Sequence, residues 1–436
     1  MILGVCGKLM AGIAVLASQK GHKVIGYDKA FQPPMKKVLE DIDITLHRGY
    51  PKELVLNDAD MVIVGNQLKR SDPIIQFLVA KRHKLYSGPE WLMTYVLRDR
   101  RVIAVTGTHG KTTITSMISW MLKQLGQDPG YLIGGYVEQL QGCANLGTGD
   151  VFVIEADEYD TAFFDKRPKF LHYWPSCVVI SHIDFDHADV YPSLEAMVQQ
   201  YKYLMRLLPA DGAVVATGIP ASLQDQMTAF GLKYVQYSVS KAKKQGMVLP
   251  KQLVGDFNLA NILAAVETGC ILGLDREKAL SVLNHFHGVD RRQMVRYQGA
   301  VWAYDDFAHH PKAVAQVCQA LSARGRVMLI YHPGTYTQRH GVMDESTYAA
   351  LLQANKAYIL LPPKHQIDLS VYASKHIVVC EQEAALSERV ISDLQEGDQV
   401  VVTSAYYLSE LWTILLAGIQ KKFGDTVCIS IEEGVA

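Results

Sequence analysis

The chain has 436 residues, 49% of them hydrophobic and 20% charged, with a formal net charge of −1. Such a length exceeds one ordinary core and predicts two to three α/β domains, while the near-zero charge excludes a broad electrostatic attraction to nucleic acid or to an anionic membrane. Seven scattered cysteines, an odd count without metal-ligand spacing, suit a reducing, cytoplasmic setting, and the absence of any run of about 18 apolar residues predicts no membrane insertion.

In chain order, Met1-Ile-Leu-Gly-Val-Cys-Gly7 lacks the basic start and long apolar stretch of a lipoprotein leader and reads as a buried first strand. A glycine turn (Gly4, Gly7), a helix carrying Gly12 and a second strand ending at Asp28 follow. This is a Rossmann-like unit for a dinucleotide or a uridine nucleotide, or a purely structural turn, because Gly4-x-x-Gly7 is not the strict fingerprint. A later strand, Asp60-Met-Val-Ile-Val, ends in Gly65-Asn66, where open α/β sheets usually bind ligands.

The most telling stretch comes next. Arg101-Val-Ile-Ala-Val predicts a buried strand, and Ile114-Thr-Ser-Met-Ile-Ser-Trp-Met-Leu has apolar residues at helical spacing. Between them lies Gly107-Thr108-His109-Gly110-Lys111-Thr112-Thr113. Strand, glycine loop, Lys-Thr and helix form a phosphate loop: backbone N–H groups and the helix N-terminus face an anion, Lys111 neutralises β/γ-phosphate charge, and Thr112 holds Mg²⁺. Two further apolar strands end in acids. The first ends in four acids, Glu155-Ala-Asp157-Glu158-Tyr-Asp160, where a second metal-binding carboxylate is expected. The second leads into Asp184-Phe-Asp186-His187-Ala-Asp189. Asn258 and Asn261 share one helical face; Asn258 reads either as an N-cap or as a carboxamide facing an adenine edge. From Arg291-Arg292 onward, strand–helix alternation predicts a further Rossmann-like sheet, opening with Asp305-Asp-Phe-Ala-His309-His-Pro311.

These words, in this order and over the whole chain, resemble the Mur ligase family of ATP-dependent amide-forming enzymes of peptidoglycan synthesis. The resemblance implies an α/β fold of three domains: a UDP-sugar-binding Rossmann-like domain at 1–99, a central P-loop ATPase-like domain at 100–290 and a C-terminal, acceptor-binding Rossmann-like domain at 291–436. It implies ATP and Mg²⁺ as cofactors. Within the family, Phe31-Gln-Pro-Pro-Met35, Gly65-Asn66 with Arg70-Ser-Asp-Pro73, Ser87-Gly-Pro-Glu-Trp-Leu92 and Phe163-Phe-Asp-Lys-Arg167 look like the recycling branch. That branch joins UDP-N-acetylmuramate to the muropeptide L-alanyl-γ-D-glutamyl-meso-diaminopimelate. The L-alanine-adding branch and a non-ligating ATP/UDP-sugar-binding protein are the alternatives.

By the same resemblance, Glu155 is the metal-binding carboxylate after the first acid-ended strand, His187 binds a second Mg²⁺, Arg292 reaches the γ-phosphate, Asp305 and His309 line the nucleotide on the third-domain side, and Asn258 and Asn261 hold adenine. Gly7, Gly12, Asp28, Asn66, Arg70 and Ser87 are the candidates for the UDP-sugar. Lys202 lies near the position of a carbamylated lysine in some relatives and reads here as a surface helical residue. A monomer or weak dimer is expected. Replacing Lys111 by Ala is expected to abolish activity with folding nearly unchanged. The chain departs from the family at His332-Pro-Gly334-Thr335, where relatives carry an arginine that Arg339 is placed to replace. It departs again at the glycine-free Thr403–Glu410 loop, at Asp256-Phe257, and in a short 218–253 stretch. Those departures leave the nucleotide motifs intact and put acceptor identity in question.

Overall fold

A computed structural model describes residues 1–57, 60–184, 190–250, 252–333, 345–362, 365 and 376–424. The chain divides into two compact units, one of residues 1–250 and 257–286, the other of 251–256 and 287–436. Among the described residues no helix is long and apolar enough to cross a membrane.

The first unit holds two sheets. The first sheet comprises β1 (Ile2–Leu3), β2 (Ile25–Asp28), β3 (Thr45–Arg48), β4 (Val62–Val64) and β5 (Leu85–Ser87), in the order β3-β2-β1-β4-β5 and parallel throughout. The order reverses between β1 and β4, so the Gly4–Gly7 turn and the Gly65-Asn66 loop flank one crevice, where open sheets bind ligands.

The central sheet contains β6 (Arg101–Thr106), β7 (Gly130–Val137), β8 (Gly142–Asn145) and β9 (Val151–Glu155). A hairpin of β10 (Asp160–Ala162) and β11 (Asp165–Pro168) follows β9, and then come β12 (Cys177–Ile180), β13 (Ala213–Ala216) and β14 (Lys233–Gln236). The order is β14-β13-β12-β6-β9-β7-β8, parallel except at the β8 edge. The strands β6, β9 and β12 are nearly continuous Val, Ile, Ala and Phe, as a parallel sheet covered on both faces requires. Their adjacency has a chemical result: both acid-ended strands flank the strand that feeds the phosphate loop. The helix Lys8–Gln19 of the first sheet packs on β7 and β8, and one apolar core runs through both sheets.

The second unit carries β15 (Met294–Gln298), β16 (Trp302–Asp306), β17 (Val327–His332), β18 (Lys356–Leu360), β19 (Ile377–Cys380) and β20 (Gln399–Ser404), in the order β15-β16-β20-β17-β18-β19. Only the β15 edge is antiparallel. Because β20 inserts between β16 and β17, the strand ends Asp306, His332 and Ser404 lie at one end of the sheet.

Candidate active site

The phosphate loop begins where β6 ends. Gly107 has φ +116° and Gly110 φ +80°, a left-handed conformation at the N-cap of the helix Lys111–Gln124. A Cβ on Gly110 would lie 2.7 Å from Asn261 Oδ1, so the loop turns sharply and meets the asparagine pair at close range. Asn261 Nδ2 donates to Asn258 Oδ1 at 3.3 Å. Asn258 sits inside the first turn of the helix Asp256–Ile271 rather than at its cap. The loop is stitched to the segment after β12: Thr108 N donates to His182 O (2.8 Å), Thr108 Oγ1 donates to Asp184 O (3.2 Å), and Ser181 Oγ donates to His109 O. Thr113 is buried in the first helical turn.

Around Lys111 the charges interlock. Its Nζ donates to both oxygens of Glu158 at 2.9 and 2.8 Å and lies 3.4 Å from Asp157 Oδ1. Glu158 is fully buried. Burial works against the ammonium charge, but Glu158 and then Asp157 outweigh it and hold the lysine above its ordinary range. Thr112 Oγ1 donates to Glu155 Oε1 at 3.2 Å, while Gly134 N donates to Glu155 Oε2 at 2.8 Å. A Cβ at Gly134 would lie 2.7 Å from that oxygen, so any side chain there would displace the Glu155 carboxylate.

The pair Thr112–Glu155 fits Mg²⁺, which takes hard oxygen ligands, keeps several waters and is completed by substrate phosphates. Among the described residues no cluster of three His, Cys, Asp or Glu side chains converges on one point. His187, with Asp186 and Asp189, lies outside the described residues, as do Gly334, Thr335 and Arg339.

On the first sheet, the Gly4 and Val5 N–H groups donate to Tyr27 O at 2.8 and 3.1 Å. Asp28 Oδ2 accepts from Cys6 N at 2.8 Å, so this carboxylate braces the glycine turn from β2. Gly7 caps the helix Lys8–Gln19 from an extended conformation. Gly12 lies inside that helix, with Leu132 and Ala144 within 3.4 Å of where its Cβ would be; its face is covered by the central sheet, which gives it a close-packing role. Ser87 closes a capping box with Glu90 at the helix Gly88–Leu92. Asn66 and Arg70 are exposed. Asn66 Nδ2 donates to Asp160 Oδ1 at 2.8 Å, linking the first sheet's loop to the acid-rich segment.

In the second unit, Arg291 is buried and donates to Ser404 O (2.5 Å) and Tyr406 O (2.7 Å). Asp305 is buried as the partner of Arg296, whose Nη2 donates to Asp305 Oδ2 (2.9 Å) and Asp290 Oδ1 (3.2 Å). Arg292 is half-buried, with its guanidinium 4.9 Å from the centre of the Phe307 ring. His309 pairs through Nδ1 with Phe307 O at 2.9 Å, and its carbonyl accepts from Tyr331 Oη. Ser404 Oγ and His332 Nδ1 lie 3.2 Å apart, each at the start of one of the segments that depart from the family pattern.

Sequence reasoning did not single out Asp157, Glu158 or Lys169 individually, nor Gly134 and Ser181. Glycine inside an apolar strand was the available signal for Gly134, since it often marks close backbone approach. Lys169 carried no signal, because its partner is twelve residues away across a hairpin.

Three family models match consecutively: the Mur ligase family catalytic domain over residues 1–100, the Mur ligase middle domain over 105–269, and the Mur ligase glutamate ligase domain over 290–406. The UDP-N-acetylmuramate–L-alanyl-γ-D-glutamyl-meso-2,6-diaminoheptandioate ligase of Escherichia coli K12 is 35% identical over 97% of this chain and 98% of its own. The protein of the same name from Haemophilus influenzae is 34% identical over 92% and 95%. A crystal structure of a murein peptide ligase from Psychrobacter arcticus superposes with a TM-score of 0.70 at 29% identity, covering 98% of this chain and 99% of that one.

Proposed function

Because the chain belongs to the Mur ligase family, we propose that it joins UDP-N-acetylmuramate to the tripeptide L-alanyl-γ-D-glutamyl-meso-diaminopimelate, using ATP and passing through an acyl phosphate. The observation that carries the reaction type is the meeting, at the ends of β9, β6 and β12, of a phosphate loop, its lysine and a Thr–Glu pair of hard oxygens. The tripeptide as acceptor rests on the near full-length similarity to the two ligases of that name.

The chemistry requires that two anions, a carboxylate and a γ-phosphate, be brought together in a water-poor pocket. Backbone N–H groups of Gly107–Thr113 and the helix N-terminus receive the phosphates. Lys111 supplies a charge fixed at their β/γ end, and the Asn258–Asn261 pair offers carboxamides to the base. Thr112 and Glu155 would hold Mg²⁺, which neutralises the phosphate charge and polarises the transferred group. His187 is assigned a second magnesium by the resemblance alone. In the second unit, Arg292 is the half-buried arginine of three clustered ones, which supports its assignment to phosphate over the buried Arg291 and Arg296. The first sheet's crevice between β1 and β4, with Gly7, Asn66 and Arg70, is assigned to the UDP moiety. Two of the three substrates, ATP and the UDP-sugar, are nucleotides, which supports a cytoplasmic activity.

Phosphate release from ATP, with UDP-N-acetylmuramate and Mg²⁺ present, tests this in three arms. Release driven by the tripeptide and not by L-alanine is expected. Release driven by L-alanine would move the chain to the alanine-adding activity, and release without any acceptor would mark a nucleotide hydrolase that has lost its acceptor site.

A further inference from the structure

Resting on the ATP reading above, we infer that Lys111 has one fixed and one exchangeable carboxylate partner, and that Lys169 is the positioning residue that makes the exchange possible. Glu158 is the fixed partner and Asp157 the exchangeable one.

The ammonium of Lys111 has three N–H donors. Two are spent on Glu158, at 2.9 and 2.8 Å, and the third side faces Asp157 Oδ1 at the longer distance of 3.4 Å. To contact a phosphate, Lys111 must release one of these. Releasing Glu158 would break two hydrogen bonds to a carboxylate with no solvent exposure, and taking a cation away from a buried charge is strongly unfavourable. Asp157 differs in two ways. Its side chain is 29% exposed, and its other oxygen, Oδ2, accepts from Lys169 Nζ at 2.8 Å.

The hairpin explains how Lys169 reaches it. The chain leaves β9 with Asp157, runs out along β10, returns along β11, and enters the turn Lys169–His172 directly beside its starting point. Lys169 N donates to Tyr159 O at 3.0 Å, which fixes the backbone of the turn, and the lysine side chain is only 13% exposed. Asp157 therefore stays neutralised when Lys111 turns away. The effect on nucleotide binding is twofold: Lys169 loosens the hold of Asp157 on Lys111, and it screens Asp157 from incoming phosphates.

A double-mutant cycle on the full chain tests this, with Mg-ATP affinity measured by titration calorimetry and no acceptor present. Lys169→Met is expected to weaken ATP binding about tenfold, a size usual for directly coupled charges. Lys169→Arg, which keeps the cation, should bind within about twofold of the unaltered protein. Asp157→Asn should make Lys169 dispensable, so that the double variant Asp157→Asn/Lys169→Met binds ATP as Asp157→Asn does. A merely structural lysine would give additive losses in the double variant instead, and that result overturns the inference, as does unaltered affinity in Lys169→Met. Failure of the unaltered protein to bind ATP would overturn the nucleotide reading itself, which separates the two failures.

Discussion

The molecule carries two clusters of interlocked charge, and they are built differently. Beside the phosphate loop the cations are lysines, Lys111 and Lys169, each a point charge on a flexible stem, facing carboxylates, with the Tyr159 ring centred 5.8 Å from the Lys169 ammonium. In the second unit they are arginines, whose planar forks are spent on backbone carbonyls and two aspartates: Arg291 on Ser404 O and Tyr406 O, Arg296 on Asp305 and Asp290. Aromatic rings bracket the arginines, with Phe307 and Tyr407 centred 5.4 and 5.9 Å from the Arg291 guanidinium. A fork held at several donors cannot turn without breaking several bonds, whereas an ammonium exchanges one partner at a time. The first cluster is suited to receiving a ligand, the second to fixing a frame.

Breaking the first cluster has the largest expected effect. Lys111→Ala should lower ATP-driven phosphate release at least about a thousandfold, as loss of a transition-state cation does. A stability loss is expected with it, in place of nearly unchanged folding: the fully buried Glu158 loses the Lys111 ammonium, at about 3–5 kcal/mol, readable as a lowered urea midpoint. An unshifted midpoint would contradict the pairing. The arginine cluster should separate into frame and function. Arg291→Ala leaves two carbonyls without their donor and should cost about 2–4 kcal/mol of stability. Arg292→Ala should shift stability by under about 0.5 kcal/mol while lowering the rate about 10- to 100-fold; equal stability losses in both variants would erase the distinction. A smaller effect is expected at the hinge between loop and base site. Gly110→Ala places a side chain in a left-handed conformation against Asn261 and should cost about 1–2 kcal/mol, with KM for ATP raised more than kcat is lowered.

The legibility of these clusters from sequence follows the range of the interactions. The phosphate loop was readable because its function is local: strand, glycines, Lys-Thr and helix are contiguous, and Lys111, Thr112 and Glu155 then fall together once β9 lies beside β6. Asp28, Gly12 and Ser87 are candidates for the UDP-sugar by resemblance, and the sequence does not show what else they touch. In the fold, Asp28 meets the Cys6 N–H, Gly12 meets β7 and β8, and Ser87 caps a helix. A motif states residue types, whereas these intramolecular contacts depend on which neighbour the fold brings alongside. Lys169 was invisible for the converse reason, since only the β10–β11 return brings it to Asp157. Similarly, nothing in Arg291-Arg292 says which arginine is buried; the left-handed φ of +57° at Arg291 decides it by turning the two side chains apart.

An effect confined to a pH window lies at Asp306, and it sharpens the reading of the second unit as a frame. Its carboxylate accepts from Gln293 N at 2.9 Å and Ala308 N at 2.6 Å, clamping the segment that carries Arg291 and Arg292 to the end of β16. Burial raises its pKa from 3.8 to about 6, against the opposing pull of Arg292 and the two N–H donors. The folded protein therefore binds this proton more tightly than the unfolded chain does. The stabilising contribution is fully present below pH 3.8 and is lost as the pH rises through about 6. A shift of about two units is worth about 3 kcal/mol across that window. Asp306→Asn keeps an acceptor oxygen but cannot titrate, so its urea stability should lose the decline seen between pH 4 and 7 in the unaltered protein. An unchanged decline would mean that the clamp is ionised throughout, with Arg292 committed to holding it and so withdrawn from any phosphate.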